Sequence, residues 1–469
     1  MTTAAPAVPP RAPGPRGVPL LGSLFELRRD PLSFMTRVAR EYGDVVHLRV
    51  GLANAYLVSH PDYVKEVLVT QQHSFKKGLG LEWAKTVLGE GLLTSYGAVH
   101  VRQRRLIQPA FHRQRIGAYG QTMVHYAQRR CDLWHAGQEI DLLEEMTALT
   151  MAIVAKTLFG VEVEGTSHEI AEALTIVLDF FPRFSLPFAR LLLLLPLPAN
   201  RRFARALATL DASVYGLIAE GRRSGEDRGD LLSMLLAARD EEGDGGGMTD
   251  RQLRDEVMTL FLAGHETTAS ALTWTFYLLS LNPKAEARLL AEVDAVVGDR
   301  PPTVDDLPRL RFTEGVFAES LRLYPPAWGI DFRALNDVAI GPYRIEKDAY
   351  VATLQWVVHR DPRFWPDPTR FDPDRWTPEA RAARPKFAYF PFGAGARQCI
   401  AEPFAWMEGA LVLATIAQRW RLRLQPGQTV DPQPLITLRP RHSLRMTVEP
   451  RAPAPGRSEA TAGPGSSVP

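Results

Sequence analysis

YFPFGAGARQCIAEP, residues Tyr389 to Pro403, holds a cysteine shortly after two glycines and directly before a helix signal. Pro403 suits a first helical turn, and FAWMEGALVLATIAQRW continues as a long, largely apolar helix. Cys399 therefore lies at a helix N-terminus, where unpaired N–H groups and the macrodipole favour a thiolate. Such a thiolate can be a nucleophile, a redox thiol or a metal ligand. A nucleophile wants a histidine base, and the nearest downstream is His442; a redox thiol wants a second cysteine, and the other, Cys131, is distant.

Composition narrows the class. The 469 residues are 45% hydrophobic and 23% charged, enough apolar mass for a large core. Fifty-five basic residues nearly balance 53 acidic ones, for a net charge of +2, and no run of like charges suggests a nucleic-acid arm. Two far-separated cysteines fit a reducing compartment, with Cys131 read as a small buried hydrophobe. No apolar run reaches the roughly 20 residues of a membrane span. RLLLLLPLP, Arg190 to Pro198, is too short and is cut by prolines; it reads as a buried helix end or as a surface touching lipid.

Helical periodicity dominates. Strand-like pieces are short and cluster near Val45 to His60 and Asp337 to Leu354. The pattern predicts a mostly α fold with small β sheets, in one large domain over 16–450. A Pro-rich N-terminus, 1–15, and a tail, 451–469, have the composition of disordered segments.

Thr249 and Gln252 form a capping box before a helix that runs to the stop signal Asn282-Pro283. About 30 residues reach roughly 45 Å, and the apolar middle implies burial on most sides. Inside it sits AGHETT, Ala263 to Thr268. A mid-helix glycine costs about 1 kcal/mol relative to alanine, and a buried glutamate is expensive unless paired. Gly264 permits a close approach, Thr267 can bond back to the carbonyl four residues earlier, and Glu266 with Thr267 sets an acid beside an alcohol, a route for protons. In TEGVFAESLRLYPP, Glu319 and Arg322 share a helix face; among apolar neighbours they read as a buried pair needing a third partner, for which Arg375 in FDPDRW is the candidate.

FGAGARQC, Phe392 to Cys399, resembles the cysteine-ligand loop of the cytochrome P-450 superfamily of haem-thiolate monooxygenases, in its soluble bacterial form. AGHETT resembles that family's oxygen-activation segment, Glu319-Ser-Leu-Arg322 its Glu-x-x-Arg helix, and FDPDRW the segment closing the ion network with Arg375, in the same order along nearly the whole chain. The resemblance implies a single domain with the long central helix crossing over a haem b. It implies Cys399 as axial ligand, Phe392 near the sulfur, and Arg397, His100, Arg104 and Arg333 as propionate contacts. Ala401, where the family most often has glycine, and Asp374 and Trp376, in place of a more usual Glu and Phe, depart from its pattern.

The resemblance implies insertion of one atom of O2 into an apolar small molecule by hydroxylation or epoxidation, with Glu266 and Thr267 handling protons. It also implies electrons from a separate ferredoxin and ferredoxin reductase, and a monomer soluble in a bacterial cytoplasm. Ala263, Ala327, Trp328, Ile330 and the loop Phe75 to Leu93 are candidate substrate walls, and their apolar character suggests a terpenoid, fatty acyl or polyketide-like compound. Asp179 to Phe203 is a candidate apolar entrance, and Arg102, Arg104, Arg105, Arg113 and Arg115 a candidate docking face for the donor. The competing readings are a peroxide-using hydroxylase or isomerase on the same scaffold, and a haem sensor without turnover.

Overall fold

The computed structural model describes residues 9–162, 167–180, 183, 193, 195–243 and 245–451. About half of Asp179 to Phe203, including part of Arg190 to Pro198, falls outside them, as do 1–8 and the tail from 452.

Strands β1 (Val45–Val50), β2 (Ala53–Val58) and β3 (Phe75–Lys77) precede helices α1 (Leu79–Leu88), α2 (Gly97–Ile107), α3 (Leu142–Phe159), α4 (Asp250–Leu281) and α5 (Arg311–Leu323). Strands β4 (Ile330–Ala334) and β5 (Tyr350–Thr353) follow, then α6 (Glu402–Arg419) and a hairpin of β6 (Pro432–Pro434) and β7 (Leu438–Pro440). These are the elements that build the site; further helices and short strands fill out the domain. The larger sheet runs β1-β2-β5-β4-β3, with β2 and β5 parallel and the other neighbours antiparallel.

Two sequence readings are corrected here. Residues 9–15, grouped with a disordered N-terminus, are extended and docked: His47 N–H donates to Pro13 O at 2.8 Å, Arg344 N–H to Pro10 O at 3.0 Å, and Ala12 is buried. Proline costs nothing in such a segment, because it offers a carbonyl acceptor and has no donor to satisfy. Phe75 to Leu93, read as a loop, is mostly β3 and α1. Gly78 and Gly80 hid that helix, although LEWAKTVL carries ordinary helix formers.

The central helix α4 follows the sequence reading closely. Its capping box is present, with Thr249 N–H donating to Gln252 Oε1 at 2.9 Å and Gln252 N–H to Thr249 Oγ1 at 3.2 Å. Thirty-two residues span about 48 Å and are buried along most of their length. The close approach at Gly264 is made by α3: a Cβ there would lie 3.1 Å from Val154 Cγ2. Thr150 of the same helix donates to the His265 carbonyl at 2.9 Å. Two helices thus meet where the AGHETT segment places its smallest residue.

Candidate active site

The cysteine loop is held from below by the backbone. Cys399 N–H donates to Phe392 O at 2.9 Å, closing the turn. Gly393 and Gly395 adopt φ of 69° and 70°, which L side chains rarely adopt. A Cβ on Gly395 would fall 2.2 Å from Leu68 O. Phe392 packs on Trp406 of α6 with ring centroids 5.6 Å apart. Ala401 has φ of −92°, an ordinary value, so its backbone makes no demand for the more usual glycine.

Cys399 presents surface to solvent-sized space, yet protein atoms surround it closely enough for burial to push its thiol up to about 11. Both are true of a group on the wall of an internal cavity. The Ala401 N–H and Arg104 oppose the shift, and burial outweighs them. The expectation that the helix terminus alone would favour a thiolate therefore fails: without a bound cation the sulfur stays protonated. That suits a ligand whose proton leaves when a metal arrives better than a free nucleophile. Among the described residues no three His, Cys, Asp or Glu side chains gather, so one sulfur is a sufficient donor only for a metal that brings its other ligands with it, as an iron porphyrin does. Cys131 is a core residue, its thiol likewise pushed up by burial.

On the central helix the same signature recurs. Ala263 is exposed although it lies mid-helix in the core, as a residue facing a cavity would be. Thr267 donates its hydroxyl to the Ala263 carbonyl at 2.7 Å, as the spacing suggested, leaving the hydroxyl oxygen free to accept. Glu266 is half-buried, and its Oε1 accepts from Thr437 at 2.6 Å.

Around the cysteine loop stands a cluster of basic side chains. Arg397 donates to Ser95 O at 2.9 Å and Arg104 to Gln398 O at 2.8 Å. His100 is buried and pushed down to about 4, chiefly by burial and then by Arg397, Lys77 and Arg104. Lys77 is pushed down to about 7 by burial and by Arg397, with Asp331 opposing. The cluster faces Asp331 and little other negative charge, and burial holds Asp331 itself above the usual carboxylate range. Such a set is matched to a ligand that brings anionic groups, which the two propionates of a haem would supply. The donor set, the enclosed sulfur and the basic side chains fit that group. Arg333 pairs across the ladder with Lys76 and reaches Asp348 at 3.0 Å, with its Nε buried and unpartnered.

The ion network is fully assembled. Glu319 and Arg322 are both 0% exposed and 2.7 Å apart, and Arg375 approaches Glu319 at 3.4 Å. Arg322 also donates to the carbonyls of His359 at 2.8 Å and Pro368 at 2.7 Å. The two departures in FDPDRW have local reasons. Trp376 donates its indole N–H to Glu319 at 3.0 Å, and Asp374 takes both guanidinium nitrogens of Arg288 at 2.8 Å.

Of the candidate wall residues, Ile330 lies under the cysteine loop, 3.4 Å from where a Cβ on Gly393 would be. Ala327 is half-buried. Trp328 packs with the Phe34, Leu48 and Leu57 cluster and donates to Leu435 O at 2.9 Å, so it braces the hairpin. On the outer side of α2 a groove of about 860 Å³ is lined by His100, Arg104, Arg105, His112 and Arg115 against one acid, Glu242, and reaches the cysteine loop at Ala396. Neither Cys399 nor Thr267 lines it. Arg102 and Arg105 are largely spent on Asp240, at 3.4 Å and 2.6 Å; the Arg113 side chain lies outside the described residues.

Sequence reasoning missed Lys77, Thr437 and Asp240. KKG offered no sign of which lysine turns inward, and Thr437 and Asp240 acquire meaning only through contacts 171 and 135 residues away.

The cytochrome P450 family model matches residues 12–446. Cyclooctatin synthase of Streptomyces melanosporofaciens is 44% identical over 441 residues, covering 93% of this chain and 95% of its own. Cyclooctat-9-en-7-ol 5-monooxygenase of the same organism is 40% identical, covering 92% and 94%. The crystal structure of the cytochrome P450DA heme domain superposes with a TM-score of 0.87 at 30% identity, over 95% of this chain and 99% of that one.

Proposed function

The chain belongs to the cytochrome P450 family, and on that footing we propose that it oxidises a terpenoid, with Cys399 as axial ligand and Glu266 and Thr267 as its proton-handling pair. It is a haem b monooxygenase acting on an apolar compound. The observation that carries the site assignment is the enclosed Cys399 thiol beside the basic side chains Lys77, His100, Arg104 and Arg397.

When bound, the haem supplies oxygen activation, with electron density pushed from the axial sulfur. The chain supplies the rest. Lys77, His100, Arg104 and Arg397 would hold the propionates. Thr267 Oγ1, already donating to Ala263 O, accepts a hydrogen bond in the cavity, and Glu266 passes protons to it from solvent. Ala263 keeps that part of the wall small, and the apolar surroundings exclude water that would divert the reaction. The net change is RH + O2 + two electrons + two protons to ROH + H2O.

The terpenoid assignment is supported by cyclooctat-9-en-7-ol 5-monooxygenase, whose name states its substrate. The electron donor is a separate acidic ferredoxin with its reductase, supported by the basic groove beside the cysteine loop, where Arg104 and Arg115 carry the exposed charge. A bacterial source is supported by the two Streptomyces relatives named above, and no described helix is long and apolar enough to cross a membrane.

The test compares parent and Cys399→Ser in the reduced, carbon monoxide-bound state, then turnover of cyclooctat-9-en-7-ol with reduced ferredoxin and with peroxide alone. A strongly red-shifted Soret band lost in the variant, and product only with ferredoxin, is the expected result. Higher turnover with peroxide alone would replace this reading by a peroxide-using hydroxylase. Thr267→Ala should raise peroxide release per electron pair consumed; unchanged behaviour would fit a sensor instead.

A further inference from the structure

We propose that Thr437, at the tip of the β6–β7 hairpin, is a positioning residue that fixes the Glu266 carboxylate beside Thr267. The inference rests on the reading of Glu266 as the proton-handling acid.

The hydroxyl of Thr437 donates to Glu266 Oε1 at 2.6 Å, and no described side chain besides Thr437 donates to this carboxylate. Glu266 is only half-buried, and its Oε2 takes no hydrogen bond from a described residue. One oxygen is thus pinned and the other left available. A glutamate side chain has three rotatable bonds, and a helical backbone disfavours χ1 near +60° but leaves the other rotamers open. The contact with the hairpin selects among them.

The hairpin does not need this bond for its own structure. Its ladder pairs Pro432 with Pro440, Gln433 with Arg439 and Pro434 with Leu438. Trp274 donates to Leu438 O at 2.8 Å and Trp328 to Leu435 O at 2.9 Å, while Leu438 N–H donates to Pro326 O at 2.9 Å. Two indoles and a backbone bond therefore fix the tip from the core side. Thr437, 4% exposed, is presented by a rigid mount. Its effect falls on Glu266, and through Glu266 on the adjacent Thr267.

A carboxylate free to rotate away would misplace the protons, and the two electrons and two protons spent on O2 would then leave as hydrogen peroxide instead of giving water and oxidised product. The experiment uses the haem-loaded enzyme with ferredoxin, reductase and NADPH, with and without cyclooctat-9-en-7-ol as probe. It reads hydrogen peroxide released per NADPH oxidised for Thr437→Val, Thr437→Ser and Glu266→Gln. Thr437→Val should raise the yield about threefold or more, Thr437→Ser should restore the parent value, and Glu266→Gln should raise it at least as far as Thr437→Val. Thr437→Ala replaces the valine variant if that one does not accumulate.

A second readout is independent of turnover. Thermal midpoints of the holoenzyme for Thr437→Val, Glu266→Ala and the double variant should be non-additive, because either single change removes one partner of the same bond. A raised yield in Glu266→Gln with no change in Thr437→Val, or additive midpoints, overturns the positioning role and leaves the Glu266 assignment standing. No change in either variant overturns both.

Discussion

The indole N–H of Trp376 donates to the carboxylate of Glu319 at 3.0 Å, in a site where Glu319 is wholly buried. Breaking a hydrogen bond to a buried charge costs about 1–3 kcal/mol. Trp376→Phe should therefore lower the thermal midpoint of the holoenzyme, measured by loss of Soret absorbance with temperature. Glu319→Gln should do more, because it leaves the fully buried Arg322 without its counter-charge, a loss of about 3–5 kcal/mol, and should yield little haem-loaded protein.

Gly264→Ala should destabilise through α3. The added methyl meets Val154 at 3.1 Å, and overpacking of this kind costs about 1–3 kcal/mol. Pairing it with Val154→Ala should recover part of the loss in denaturant unfolding.

The haem-free protein should grow more stable as pH rises from about 7 toward 10. Lys77 has a folded value lowered to about 7 from 10.5, so across that window the unfolded chain binds the extra proton and stability increases with pH. Propionates reverse the preference by favouring charged Lys77, so haem affinity should fall over the same window. Lys77→Met should flatten both slopes, measured by melting curves and haem titration at stepped pH.

Alkylation of Cys399 in the haem-free protein should be slow at pH 8 and accelerate toward pH 11, since burial holds the thiol near 11 and the thiolate is the reactive form. Haem loading should abolish it. Peptide mass spectrometry after iodoacetamide treatment separates Cys399 from Cys131.

The parts legible in the sequence were those whose meaning is local. The Thr249–Gln252 capping box, the Thr267 bond back to Ala263 and the pairing of Glu319 with Arg322 each depend on residues three or four apart, where helix geometry dictates who meets whom. The loop and helix start around Cys399 were legible, but the upward push on its thiol was not: the helix N-terminus is a local feature, and the burial that outweighs it is tertiary. Lys77 and Thr437 were illegible for the same reason. The extended segment at residues 9–15 was misread because composition reports what a chain can do alone, and Pro13 is ordered by an acceptor role toward His47.

Arg104 belongs to two surfaces at once, the outer groove and the basic cluster beside Cys399. Any acidic protein seated in that groove adds negative charge next to the haem pocket, which favours the ferric over the ferrous state. Linkage makes the effect mutual: such a partner binds the oxidised enzyme more tightly than the reduced one. If the donor docks there as proposed, delivery of the electron would weaken the donor's own hold, and the arginine that recruits it would also time its departure.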